Sequence, residues 1–297
     1  MNGNASPLWQ ALERTSRSAL AKRALRPIPT RFDFVEQEGA RFLVRVMANL
    51  ARKDKARKAQ EAKGKDYNPF LPYEQDLFVG DLSPTHVGLI NKFNVVDHHL
   101  LILTRDFEDQ DRLLNLADFE ALWVCLAQIN GLTFYNGGKD AGASQRHKHL
   151  QLVPLPLTPE GPAVPMEALL SGDDGKADLP FPNAFVRMGP GCKHKPEQSA
   201  VTMYAAYRSA MAWLGLWGTD GTQAGAYNLI ATREWLLLVP RARERYQGIA
   251  VNALGFAGTF LVRNEEQLQL LRQIGPLNLL ARVSTSSHRG DEAPVGG

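Results

Sequence analysis

The sequence predicts an α+β chain of two similar halves with a chemical site in the first half only. Residues 94–105 and 228–241 each read as short strand, charged turn, longer apolar strand and basic end, which is a hairpin pattern. Each is later followed by a helical pattern, at 118–128 in the first half and 265–271 in the second. Only the first half then runs into His147-Lys148-His149-Leu150-Gln151. A duplicated fold with one surviving site is the economical reading.

The elements follow in order. Leu8, Leu12, Leu20 and Leu25 are separated by polar residues, which predicts an amphipathic helix over 8–24 that ends at Arg26-Pro27-Ile28-Pro29. Residues 1–30 are therefore expected to form an N-terminal helical segment. Residues 41–47 have strand composition and lead into a basic stretch at 52–58, with Lys63 and Lys65 beyond it. A rigid turn at 68–72 precedes short strand candidates at 77–79 and 86–90. The catalytic half is expected to span 31–190, including a connection at 157–182 rich in Pro, Gly, Asp and Ala. The second half, without the histidine motif, is expected over 191–283, and the polar tail 284–297 is expected to be disordered.

Composition narrows the function classes. At 44% hydrophobic and 22% charged residues, the chain of 297 residues is ordinary for a globular protein with a large core. No apolar run approaches the ~20 residues of a membrane span, and no basic-then-apolar leader opens the chain. These features argue for no membrane partner, reduced thiols at Cys125 and Cys192, and a cytoplasmic location. A net charge of +3 is too small to argue for nucleic acid, though small anions remain suitable ligands.

The chemistry concentrates at 136–151. Side chains alternate across a strand, so His147, His149 and Gln151 share one face while Lys148 and Leu150 point the other way. Two such imidazoles suit either a metal or a nucleophile. Zinc needs about three or four ligands, Gln151 is a poor third, and the two cysteines are far apart. Cys192-Lys193-His194 adds one thiol and one imidazole, too few for a metal, and reads as a loop. An imidazole becomes a nucleophile when its second nitrogen is held by an acceptor and donors surround the attacked phosphorus. The preceding Gly142-Ala143-Ser144-Gln145 would supply such donors through close backbone N–H groups, a hydroxyl and an amide.

The run from Gly142 to Gln151 resembles the His-x-His-x-Gln signature of the nucleotidyl-transferring branch of the histidine triad superfamily. With Tyr135-Asn136-Gly137-Gly138 before it and Leu152-Val153-Pro154-Leu155-Pro156 after it, the similarity is to the diadenosine tetraphosphate phosphorylase (ATP adenylyltransferase) family. Further blocks resemble that family in order, at 91–96, 99–104, 227–229, 235–241 and 252–258, so the likeness spans about 30–282. It implies a histidine-triad-like antiparallel sheet with helices, the two halves forming one continuous platform.

The resemblance also implies roles. His149 is the attacking imidazole, forming a nucleotidyl-histidine from which phosphate takes the nucleotide, so that diadenosine tetraphosphate and phosphate become ATP and ADP. His147 orients the strand, and Gln151 donates to a phosphate oxygen. Glutamine in place of a third histidine removes a possible acid for hydrolysis. The resemblance puts Lys53 on the polyphosphate. Asn94 and Asn136 are expected beside the phosphates or ribose, with Asn91 and Lys92 on the same approach and Arg241 or Asn252 near the distal phosphates. His98 and His99 read as structural. Diadenosine polyphosphates, ATP, ADP and phosphate are the expected partners. No covalently bound cofactor is expected; magnesium is expected to accompany the substrate because polyphosphates usually bind it, and no dedicated carboxylate cage is visible. Rival readings are adenylyl sulfate phosphorolysis, a sugar-phosphate nucleotidylyltransferase, a dinucleotide hydrolase and a non-catalytic nucleotide-binding regulator.

Overall fold

A computed structural model describes residues 6–48, 67–170, 179–189 and 196–285. The chain opens on helix α1 (Pro7–Ala21), whose first turn is capped by the Ser6 hydroxyl accepting from the Trp9 N–H. Leu8, Leu12, Ser16 and Ala19 form its buried stripe. Leu20, expected on that stripe, is exposed, and Leu25 is buried beyond the helix end. The remaining helices are α2 (Leu116–Gln128), α3 (Glu167–Leu170), α4 (Pro196–Trp213), α5 (Ala253–Phe256), α6 (Glu265–Ile274) and α7 (Pro276–Val283).

Strands β1 (Thr30–Gln37) and β2 (Ala40–Met47) form a hairpin whose two turn residues, Glu38 and Gly39, both have positive φ. A strand from the far end of the chain, β13 (Thr259–Val262), adds to β2 in parallel. The large sheet takes β3 (Phe78–Asp81), β4 (His86–Ile90), β5 (Leu100–Thr104), β6 (Gly131–Gly137) and β7 (His149–Pro154) from the first half. From later in the chain come β8 (Ala184–Arg187), β9 (Tyr227–Ala231) and β10 (Trp235–Pro240), while β11 (Arg245–Tyr246) and β12 (Ile249–Ala250) make a small separate ribbon. The order is β3-β4-β5-β7-β6-β9-β10-β8, and every neighbouring pair is antiparallel.

This is the single α+β platform expected. The halves join where Thr133 to Gly137 of β6 pair with Ala231 to Tyr227 of β9. Strand β8, which precedes residue 190, pairs with β10 on the far side of that seam. The second hairpin is β9–β10, as read. The first lies one strand earlier than read. β4 pairs with β5, and residues 91–99 form the loop between them rather than a strand. His98 in this loop has φ 56°, which no strand accommodates. Ser284, the expected first residue of the tail, is buried and bridges to Arg241, whereas 286–297 lie outside the described residues.

Alternation gives the sheet two unlike faces. One packs Ile102, Leu150, Leu152, Tyr135, Leu229 and Leu238 against α1, α2 and α4. On the other face Leu132, Phe134, Val153, Ile230 and Leu237 meet the β1-β2-β13 sheet and the C-terminal helices. A separate patch, Val87, Leu89, Leu101 and Leu103, is covered by Phe70, Tyr73 and Phe78. His149 and Gln151 fall on this second face, between the two apolar clusters, because they alternate with Leu150 and Leu152.

Candidate active site

The strand carrying the motif begins at His149, and His147 joins by an isolated bridge to Asp109. The alternation is kept. The rings of both histidines lie against Phe70, with centroids 6.0 Å away for His147 and 5.4 Å for His149.

His147 spends both ring nitrogens on the protein. Its Nε2 donates to the carbonyl oxygens of Thr104 (2.9 Å) and Asp106 (3.1 Å), so Nδ1 is the acceptor for the Asn68 amide at 3.0 Å. The His147 carbonyl oxygen accepts Nδ1–H of His149 at 2.7 Å. A carbonyl only accepts, so the proton of His149 sits on Nδ1 and the Nε2 lone pair is left unprotonated. Burial, opposed by this hydrogen bond and reinforced by His147, takes the His149 pKa down to about 4. A neutral imidazole with one open nitrogen is the form a nucleophile requires.

The backbone of His149 is held as firmly. Its N–H donates to Gln110 Oε1 at 3.0 Å, and Gln110 Nε2 donates to the Asn136 carbonyl at 2.9 Å. From Asn136 the chain of bonds crosses the seam. Asn136 Oδ1 accepts from Asn228 Nδ2 (2.9 Å) and from the Ala253 N–H (2.9 Å), and Asn228 Oδ1 accepts from Arg241. Both Asn228 and Arg241 also donate to the carbonyl of Ala141, at the base of the 142–145 loop.

That chain bears on two expectations. Asn136 has its side-chain oxygen committed to the seam and to the start of α5. Arg241 is buried, and all five of its N–H groups donate within the protein, to Asn228, Ala141, Arg243, Val251 and Val283. No donor is left for a distal phosphate, so its part is to brace the loop from behind. The donor loop also differs in detail. The N–H groups of Gly142 and Ala143 donate inward, to Lys139 and Gly138 carbonyls. Among the described residues those of Ser144 and Gln145 have no acceptor, so the free donors begin two residues after Gly142. Gly142 is needed for another reason. Its φ of 93° and its approach to Asn252, whose Cβ would lie 3.1 Å from an added Cβ, exclude a side chain. Asn252 thus lies against the loop, its own Oδ1 capping α5 through the Leu254 N–H.

Of the other residues, Asn94 is buried with Oδ1 unpartnered, and its amide nitrogen donates to Val96. Lys92 pairs with Glu74 and Asn91 bonds to His99, so neither side chain is open on the approach. Lys53, the rest of the basic stretch and the Cys192-Lys193-His194 loop lie outside the described residues. Among the described residues no group of three or more His, Cys, Asp or Glu could hold a metal ion, and no helix is long and apolar enough to cross a membrane.

Three contributors escaped the sequence reading. Gln110 sits in Glu108-Asp109-Gln110-Asp111, which reads as a polar turn, and His99 bonds directly to Gln151 at 2.9 Å. Lys148 is wholly buried behind the motif, with Nζ 2.7 Å from Asp118 and 2.9 Å from Glu108. Only the alternation pointing Lys148 inward signalled the last, since a lysine in a core needs an acid.

A paired-imidazole strand on an antiparallel platform defines a protein of the histidine triad class. Within it, the sequence model of the Ap4A phosphorylase N-terminal domain matches residues 2–172, and that of the ATP adenylyltransferase C-terminal domain matches 177–286. The chain belongs to the Ap4A phosphorylase family. Diadenosine 5',5'''-P1,P4-tetraphosphate phosphorylase 2 of Saccharomyces cerevisiae is 27% identical over 270 residues, covering 80% of this chain and 81% of the yeast protein. Protein APA1 of the same yeast is 25% identical over 253 residues, 76% of each chain. The crystal structure of yeast Ap4A phosphorylase Apa2 superimposes with a TM-score of 0.77 at 21% identity, covering 95% of this chain and 98% of that one. The same yeast protein in complex with Ap4A gives 0.76 at 21% identity, covering 94% and 97%.

Proposed function

We infer that this chain is a diadenosine tetraphosphate phosphorylase. It cleaves diadenosine tetraphosphate with inorganic phosphate to ATP and ADP, and the reaction is reversible. The observation that carries the mechanism is the bond from His149 Nδ1–H to the His147 carbonyl, which leaves Nε2 unprotonated.

Nε2 of His149 attacks the first phosphorus of the substrate. The bond from that phosphorus to its bridging oxygen breaks, the electron pair leaves with the oxygen, and ATP departs. An oxygen of inorganic phosphate then attacks the AMP-histidine, the P–N bond breaks, and ADP forms with His149 restored. Gln151, Ser144 and Gln145 are the donors for the charge that builds on the transferred phosphoryl group. Asn94 Oδ1, buried and unpartnered, suits a ribose hydroxyl donor. The same reading assigns Lys53 to the polyphosphate and Asn252 to the loop end of the site. Magnesium enters with the polyphosphate rather than as a resident ion. The partners are these small molecules, and the cytoplasm, where nucleotides and phosphate abound, is the setting.

Incubation with diadenosine tetraphosphate, with and without phosphate, tests the reading by chromatography of the products. ATP and ADP in equal amounts, only with phosphate, are expected. Comparable cleavage without phosphate, to AMP or to two ADP, overturns it.

A further inference from the structure

We propose that His99 is a positioning residue that fixes the direction of the Gln151 amide, so that the site presents its substrate with a hydrogen-bond donor and not an acceptor. The proposal rests on the phosphorylase reading above, in which Gln151 meets a phosphate oxygen.

The direction follows from a relay that starts at a backbone N–H. Phe93 N–H donates to Asn91 Oδ1 at 3.2 Å, which identifies the oxygen of that amide. Asn91 Nδ2 therefore faces His99 Nδ1, 3.3 Å away, and an amide NH2 only donates. His99 Nδ1 must carry the lone pair, so the imidazole proton is on Nε2. That nitrogen is 2.9 Å from Gln151 Oε1, which accepts. The Gln151 NH2 group is what remains, and among the described residues it has no partner. It lies on the sheet face it shares with His149, the nucleophile.

Reversal is disfavoured at each link. A Gln151 turned end for end would set its NH2 against the Nε2–H of His99, and its carbonyl oxygen would face anionic phosphate oxygens. Moving the His99 proton to Nδ1 would set it against the Asn91 NH2. His99 is buried against the Phe134 ring, with centroids 5.7 Å apart, so water does not substitute for either partner. Asn91, expected from sequence on the substrate approach, and His99, read as structural, thus set the polarity of a group on β7, the strand next to β5.

The test compares phosphorolysis of diadenosine tetraphosphate by the wild type, His99→Phe, His99→Gln, Gln151→Ala and the double variant His99→Phe/Gln151→Ala. His99→Phe keeps the packing and loses the donor, so kcat is expected to fall about 10–100-fold with KM little changed, the loss of a charge-assisted bond. His99→Gln places an amide nitrogen near the lost Nε2 and recovers most of the rate. In the Gln151→Ala background His99→Phe costs nothing further, because the group it orients is gone. Equal losses in the Phe and Gln variants, or losses that add in the double variant, overturn the proposal. A wild type without phosphorolysis instead defeats the phosphorylase reading, whereas a Gln151→Ala variant at full rate in an active wild type removes the role of Gln151 and overturns the proposal. Independently of activity, 15N spectra of histidine-labelled protein are expected to show His99 as the Nε2–H tautomer. The Nδ1–H tautomer overturns the proposal even in an inactive protein.

Discussion

Lys148 Nζ and Asp118 Oδ2 lie 2.7 Å apart with neither side chain exposed, directly behind the strand that carries the two site histidines. Asp118 also caps α2, accepting from the Asn115 N–H at 2.7 Å, and takes a third bond from His86 Nε2 at 3.0 Å. Burial works to raise the Asp118 pKa, but the bonds from His86 and the charge of Lys148 outweigh it and hold the carboxyl below its ordinary value. The Lys148 backbone, between His147 and His149, is clamped by its N–H on Glu108 and by the Thr104 N–H on its carbonyl. One residue thereby ties the core to the spacing of the site.

Removing one partner of a buried pair strands the other charge, so Lys148→Met should cost about 3–5 kcal/mol of stability in urea unfolding. Arg146→Ala, two residues away, breaks a largely exposed pair with Asp109 and should cost about 1 kcal/mol or less. Similar costs for the two would mean that the Lys148 ion pair contributes no more than a surface one.

Two buried histidines set an acid limit on stability. Burial takes His99 and His149 to about 4 in the fold, against 6.5 for the free side chain. Between these values the unfolded chain binds protons that the native one refuses, so stability is full above pH 6.5 and is lost as pH falls toward 4. Each is worth about 3 kcal/mol over that window, from 2.5 pKa units at 1.36 kcal/mol per unit. Urea midpoints measured from pH 7.5 to 4.5 should fall steadily below 6.5, and less steeply in His99→Phe. A flat profile down to pH 5 would contradict the burial of these rings.

The sequence was informative wherever a local pattern decides the outcome. The spacing of His147, His149 and Gln151 gave their shared face, and the periodicity of 118–128 and 265–271 gave helices α2 and α6. It misplaced the first hairpin because Val95 and Val96 have strand propensity, while the φ of His98 and the turn bond from Phe93 to Asn91 override it. The partners of the motif were beyond local reading. Gln110, Asp118 and His99 are 39, 30 and 52 residues from the groups they serve, and only the sheet register joins them. Arg241 was expected near the distal phosphates because its block resembles the family's, and its burial and internal bonds are decided by folding that no local pattern shows.

Arg241 gives a third prediction. Its five donors hold five different parts of the chain, and Lys has three donors on a flexible stem in place of the planar fork. Burial lowers the Arg241 pKa to about 10, with Asp140 and Glu244 opposing, so the group stays charged at neutral pH. Arg241→Lys leaves buried acceptors unpaired and should cost on the order of 3 kcal/mol. Thermal unfolding measures the loss. The Michaelis constant for diadenosine tetraphosphate in the folded fraction should change little, and a large rise in it at unchanged stability would restore Arg241 to the substrate.

The last prediction separates the two histidines. On the proposed mechanism His149→Ala removes the group that bonds to phosphorus, so no nucleotidyl-enzyme should form and the rate should fall by several orders of magnitude with substrate binding largely intact. His147→Ala leaves a backbone carbonyl in place to receive the His149 proton. What it removes is the anchoring of that carbonyl through Thr104, Asp106 and Asn68. The nucleophile is then displaced and not lost, a defect that commonly costs on the order of a hundredfold. Mass spectrometry of protein quenched during turnover should map an AMP adduct to His149 in the wild type and in His147→Ala, and find none in His149→Ala. An adduct on His147, which has no free ring nitrogen in this fold, would show that the attacking residue is misassigned.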